Sequence, residues 1–349
     1  LLEPKDYESG LLKGRGKKFR QAWSAWRAVK QKLQANEYDI VECYGDEFWL
    51  VLWQLSKSTH RPLLVAHTNG LELLDRSRSD TYDPIRSRFR KTFNNQTHAR
   101  FSRFAFSCAD AFVSLCELDR QHVLEAKLYP TERTAVVEPG LDDEYLDVPF
   151  MPHREERVAF IGSWIPRKGI KHLSMVMSSV LTYKLSLQLD LYGTGTSKAN
   201  VLRSFPARLH SRINVHPRIS NRELSNSLAR TKVFFFPSQY EGFGIALAEA
   251  MACGCAAVTT RTGFGAGLRD HEEAWLCSFD DVRMMENAIR QFLENDSLRA
   301  KVAMGGWRRA RALTWEVNIS KLENTYIEWL ANHDPDKENA LPLPGENPS

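Results

Sequence analysis

One stretch, Val233 to Val258 (VFFFPSQYEGFGIALAEAMACGCAAV), restricts what this chain can fold into more than any other. Val233 to Pro237 is a short apolar run rich in aromatic side chains, the pattern of a strand buried on both faces of a parallel sheet. A polar loop, Ser238 to Glu241, and a tight turn, Gly242-Phe243-Gly244, lead into a helix from Ile245 to Ala252 that Gly254 stops. A helix entered straight from a glycine turn offers unpaired N–H groups and the positive end of its dipole, a natural seat for phosphate. Strand, glycine turn and helix in this order predict an α/β protein with a ligand crevice beyond the strand ends.

Two carboxylates sharpen that reading. The helix is apolar on every side except at Glu249, and a buried glutamate needs a partner. Glu241 lies at the mouth of the turn, so both acids can face the crevice. The alternative is structural, with Glu249 paired to a core arginine and Glu241 solvated. The setting after a phosphate-binding turn favours the ligand reading.

The segment EGFGIALAEAMACG resembles the signature of the retaining, nucleotide-sugar-dependent glycosyltransferases of family 4, and the likeness runs in consistent order from about Tyr38 to Leu330. It implies the GT-B fold, α/β with two Rossmann-like domains facing a cleft. Residues 1–148 would form the amino-terminal acceptor domain, 149–156 a linker able to hinge, and 157–313 the donor domain. Residues 314–331 would be a helix crossing back, and 332–349 a disordered tail. The polar opening, Leu1 to Gly16, has no strand and glycine loop of the kind the fold begins with, so the first domain is expected to lack its opening strand.

The same resemblance implies site residues. Ser163-Trp164-Ile165-Pro166-Arg167-Lys168-Gly169 follows a strand at Val158 to Gly162 and matches the family's diphosphate-gripping loop at Lys168 and Gly169. Ser163 stands where an arginine is expected, and Arg167 is the candidate replacement. Glu241 would contact the donor sugar, Glu249 the ribose hydroxyls, and the turn Gly242, Phe243, Gly244 and Ile245 the phosphates. Gly193, ending a strand from Leu187, and the second glycine loop, Thr262 to Gly267, would face the same crevice. His67, in His67-Thr68-Asn69-Gly70-Leu71-Glu72, is a candidate active-site histidine, although spacing from Gly70-Leu71-Glu72 puts Asn69 in its place. The scheme uses a nucleotide-diphosphate sugar as substrate and a sugar, lipid-linked or other glycosyl acceptor, with no cofactor and no metal.

At 349 residues the chain suits two domains, and 43% hydrophobic with 26% charged content describes an ordinary globular protein. No apolar run approaches the length needed to span a bilayer and no signal-peptide core is visible, so a cytoplasmic protein is expected. Six scattered cysteines without C-x-x-C spacing read as buried reduced thiols. Net charge of +4 is too small to imply nucleic acid. Residues 84–109 carry six basic side chains and no acid among interleaved phenylalanines, either a solvated face or a contact with an acceptor phosphate or anionic membrane surface. Phe19 to Gln34 reads as an amphipathic helix packing Phe19, Trp23, Trp26 and Val29 on the core; Trp23 and Trp26 at a membrane interface are the alternative. Competing functions are a nucleotide-sugar-binding or scaffolding protein without turnover, a glycoside hydrolase using Glu241 and Glu249, and a sugar epimerase or phosphorylase of the same fold.

Overall fold

The computed structural model of the chain describes residues 17–71 and 102–334. The expected missing opening strand (1–16), Glu72, most of the basic segment (84–101) and the tail from 335 lie outside them. Among the described residues the strands form two parallel sheets. The first contains β1 (Ile40–Tyr44), β2 (Leu63–Thr68), β3 (Ala111–Ser114) and β4 (Thr134–Val136) in that spatial order. The second contains β5 (Glu155–Ile161), β6 (Gln188–Tyr192), β7 (Ile213–Val215), β8 (Thr231–Phe236), β9 (Ala256–Thr260) and β10 (Trp275–Cys277), in the order β10-β9-β8-β5-β6-β7. That is a doubly wound sheet whose direction of winding reverses between β5 and β8. The molecule is thus α/β with two Rossmann-like domains, as the motif pattern predicts.

Burial explains the composition of the strands. Every residue of β2, β8 and β9 is buried, because helices cover both faces of each sheet and leave no position for alternating polar side chains. On one face of the first sheet, Leu64, Ala66 and Phe112 pack on Val51 and Leu52 of the helix Trp49–Leu55 and on Ala25 and Val29 of the helix Lys17–Ala35. The latter helix turns a stripe of Ala22, Ala25, Trp26 and Val29 inward and leaves Phe19 and Trp23 exposed. Phe19, Trp23, Trp26 and Val29 share an arc of about 120° at 100° per residue, but the buried stripe centres on Ala22, Ala25 and Val29, so Trp26 sits at its edge and Phe19 and Trp23 lie outside it.

The other face of the first sheet is covered from the far end of the chain. In the helix Trp315–Ala331, Trp329 is buried against Leu63, Val65, Ala111, Val113 and Val137. Its indole Nε1 donates to the Glu132 carbonyl at 2.8 Å, and Arg133 Nη1 donates to the Trp329 carbonyl at 3.1 Å. Tyr326 donates its hydroxyl to Glu42 on β1.

Among the described residues the chain therefore passes between the halves twice. The segment expected to bend, 149–156, is bound to the second half: Arg154 donates to the carbonyls of Met151, Leu228, Thr231 and Cys253, and Arg299 donates to Pro152 at 2.7 Å. The crossings are at 137–141 and 313–315, joined by the Leu141 N–H donating to the Leu313 carbonyl at 2.8 Å. A hinge at 149–156 would break the Arg154 bonds.

Trp329→Ala should destabilise the first half by about 3–5 kcal/mol, the usual range for emptying a buried tryptophan site. Ile327→Ala, on the exposed side of the same helix, should change it by less than about 0.5 kcal/mol. Urea unfolding of both variants measures the difference.

Candidate functional site

The reversal between β5 and β8 places two turns side by side. After β5 the backbone runs through Gly162 into a 3-10 turn, Pro166–Lys168, and Gly169 at φ 69° starts the helix Ile170–Tyr183. A Cβ at Gly169 would lie 1.8 Å from the Pro237 carbonyl oxygen of the other turn, so only glycine fits. After β8, Pro237 to Gly244 leads into the helix Ile245–Ala252, whose N-cap is Gly244 at φ 87° with no side-chain cap. The Gln239 N–H donates to the Arg167 carbonyl at 2.8 Å and stitches the turns together.

Lys168 and Glu241, 73 positions apart, meet at this junction. The ammonium lies 2.7 and 2.8 Å from the two carboxylate oxygens of Glu241. Glu241 is buried and Lys168 partly so, with its Nζ 5.5 Å above the Phe236 ring. A carboxylate at that depth is tolerable because a cation neutralises it. Arg167 flanks the pair, its Nη1 3.4 Å from the Tyr240 carbonyl.

A cleft of 630 Å³ opens over the junction. Arg167, Lys168, Gly193, Glu241, Gly242, Phe243, Gly244, Ile245 and Glu249 all line it. Glu249 is half-buried and, among the described residues, has no ion-pair partner; the core-arginine alternative is not what the structure shows. Burial first, and repulsion from Asp142 second, push its carboxyl up from 4.5 to about 7.

Two expectations fall elsewhere. His67, at the end of β2, is not among the residues lining the cleft. It is buried beneath Tyr44, ring centroids 4.3 Å apart, with Nε2 3.9 Å from Glu42 Oε1, and burial pushes it down to about 4. The neighbouring Asn69 lines the cleft instead, the position that spacing from Gly70 singles out. The loop Thr262 to Gly267 does not face the crevice either. Gly263, Phe264 and Gly265 are buried behind Phe243, with ring centroids 5.2 Å apart, because the Phe264 N–H donates to the Phe243 carbonyl.

Sequence reasoning missed Leu115, Asp142 and Trp315, which complete the cleft from the first half and the two crossings. Asp142 sits in the VVEPGLDDEYL segment and could have been named from it. Nothing local marks Trp315, which reaches the cleft only because the chain returns; a Cβ at Gly140 would lie 2.5 Å from it.

Residues 142–306 match the family model of the glycosyl transferases group 1. The chain is 29% identical over 182 residues to the phosphatidyl-myo-inositol mannosyltransferase of Mycobacterium tuberculosis, a match covering 50% of this chain and 48% of that protein. It is 34% identical over 111 residues to a D-inositol 3-phosphate glycosyltransferase of Nocardioides, covering 32% of this chain and 24% of that protein. The matches thus span about half the length of these relatives or less. Among solved structures, sucrose-phosphate synthase from Thermosynechococcus elongatus superposes with a TM-score of 0.73 at 19% identity, covering 94% of this chain and 83% of that one. Anabaena HepE in complex with UDP gives 0.65 at 18% identity, covering 86% and 82%. At such identities these likenesses establish the fold, that of the GT-B glycosyltransferases.

Two outcomes follow from the charges. Glu249 binds its proton more tightly in the folded chain than in the unfolded one, so the ligand-free protein should lose stability as pH rises from about 4.5 through 7. Glu249→Gln should abolish that loss, raising the Tm by a few degrees at pH 8 and hardly at all at pH 4.5, as differential scanning calorimetry would record. For the buried pair, a cycle of Lys168→Met, Glu241→Gln and the double variant should show a coupling of about 1–3 kcal/mol in urea unfolding.

Proposed function

We propose that this chain, which carries a glycosyl transferases group 1 domain and the GT-B fold, moves a sugar from a nucleotide-diphosphate donor to a glycosyl acceptor with retention of configuration, in glycoconjugate synthesis. One observation carries the reading: a cation, an uncapped helix N-terminus and two carboxylates converge on one cleft at the sheet reversal.

Glycosyl transfer builds positive charge on the sugar ring and negative charge on the departing diphosphate. In this reading Lys168, Arg167 and the N–H groups from Gly242 to Ile245 hold the diphosphate and stabilise it as it leaves. Its arrival draws the Lys168 ammonium from Glu241 and frees that carboxylate to face the sugar. Glu249 accepts hydrogen bonds from the ribose hydroxyls. Asn69 faces the sugar from the first half, at the position where the resemblance implies a histidine. The departing diphosphate takes the acceptor's proton, so the scheme needs no metal or cofactor.

The relatives' names support a small or lipid-linked polyol acceptor, and contact of the basic 84–109 segment with an anionic acceptor or membrane surface belongs to the same reading. No helix of the described residues is long and apolar enough to cross a membrane. The six cysteines are buried and free, which supports the cytoplasm as the site of action. A second reading, nucleotide-sugar binding without turnover, draws on Ser163, which stands where the resemblance expects a second cation.

Calorimetric titration with a panel of nucleoside diphosphates, with and without chelator, followed by assay of diphosphate release from the matching nucleotide sugars, tests the reading. Base-selective binding that survives chelation and is accompanied by transfer is expected; binding without transfer to any acceptor would favour the second reading. Lys168→Ala should lower turnover by about 100-fold. Near-normal turnover at saturating donor would remove Lys168 from the mechanism. Glu249→Gln should weaken diphosphate binding more than it slows transfer.

A further inference from the structure

The two halves touch at a buried joint beside the cleft that the transfer scheme does not use. Its centre is Asp119, in the first turn of the helix Glu117–Glu125 that follows β3. The side chain is 0% exposed. Oδ2 accepts the Leu71 N–H at 3.2 Å, and both carboxylate oxygens lie 3.4 Å from the hydroxyl of Tyr240, which belongs to the second half and is itself buried. The backbones meet just as closely. A Cβ at Gly242 would fall 1.9 Å from the Asn69 carbonyl oxygen, and one at Gly70 would fall 3.0 Å from the Tyr240 hydroxyl.

A fully buried carboxylate is an expensive way to fill a joint unless its hydrogen bonds are made. The Leu71 N–H and the Tyr240 hydroxyl are among its partners, and the positive end of its own helix favours the charge. The Leu71 bond lies within Asp119's own half, so separating the halves breaks the Tyr240 contact and leaves that bond in place.

Tyr240 also stands next to Glu241. Its hydroxyl faces the first half, its carbonyl faces Arg167, and the following carboxylate holds Lys168. Whatever fixes Tyr240 fixes the turn on which the proposed chemistry depends.

We propose that Asp119 is a positioning residue for transfer: by accepting the Tyr240 hydroxyl across the cleft, it sets the Tyr240-Glu241-Gly242 turn when the two halves are closed. The inference rests on the proposed transferase reading for its kinetic consequence, though not for its structural one. It assigns Tyr240 and Asp119 no contact with the reacting sugar.

Tyr240→Phe, Asp119→Asn and Asp119→Leu test it. Tyr240→Phe keeps the ring and should leave the Tm within a few degrees and UDP or other nucleoside diphosphate affinity within about twofold. It should lower kcat about tenfold, the scale of a small misplacement of reacting groups, with donor KM little changed. Asp119→Asn retains an acceptor and should recover most of the rate that Asp119→Leu loses. Small-angle scattering with bound diphosphate should show Tyr240→Phe and Asp119→Leu more open than the parent chain, and Asp119→Asn closed.

The proposal is overturned if scattering is unchanged in Tyr240→Phe and Asp119→Leu, or if their kcat stays within about twofold of the parent. It is also overturned if diphosphate affinity falls in step with kcat, since the joint would then be part of the donor site's scaffold. Should the parent chain transfer nothing, the transferase reading fails, while scattering still decides whether Asp119 and Tyr240 hold the halves together.

Discussion

The ion pair between Lys168 and Glu241 is the interaction on which the cleft depends. Each residue ends a turn that leaves a different strand, and the two turns are neighbours only because the sheet changes its direction of winding between β5 and β8. Burying a carboxylate at that depth is costly unless a cation is paired with it, and Lys168 supplies one. The cation, in turn, is held over the Phe236 ring at the cleft floor instead of extending into solvent. In the free protein the two charges satisfy each other. In the proposed scheme a diphosphate entering the cleft would offer the ammonium a second anion, and that competition would link donor binding to the availability of the carboxylate.

Close backbone approach is the second constraint. Gly169 against Pro237 brings the two turns of the second sheet together, and Gly242 against Asn69 brings the first half onto the second. Any Cβ at either place would overlap a carbonyl oxygen, so the cleft's floor and one wall are set by what these residues lack. Around them the helix Trp315–Ala331 ties the end of the chain to the first sheet, and Arg154 ties 149–156 to the second. The chain passes between the halves at 137–141 and 313–315, where Leu141 N–H donates to the Leu313 carbonyl.

Much of this was legible from local sequence. The strand, glycine turn and helix from Val233 to Ala252 are specified by residues within one short window, and so is the turn ending at Gly169. Glu241, Gly244 and Glu249 stand out from the turn and helix themselves, whereas Lys168 is named through the resemblance of its loop; the structure puts all four on one cleft. The misplacements have a common origin. Thr262 to Gly267 has the composition of a cleft loop, yet packing against Phe243 turns it inward. Trp23 and Trp26 are equivalent by periodicity, but the inward stripe of Ala22, Ala25 and Val29 leaves Trp26 partly buried at its edge and Trp23 exposed. His67 and Asn69 differ by two positions at a strand end, where the chain turns from the sheet interior to the cleft.

By itself the sequence determined the class of fold, the order of strands and helices, and which turns carry cation, carboxylate and open amides, because periodicity and turn chemistry act over a few residues. Tertiary structure alone decided that Lys168 neutralises Glu241, that Glu249 lines the cleft with no ion-pair partner among the described residues, and that Trp315, Asp119 and Tyr240 sit where the halves meet. Those facts depend on contacts between residues tens to hundreds of positions apart. Their geometry comes from the winding of the sheets and the return of the last helix, which no local pattern encodes.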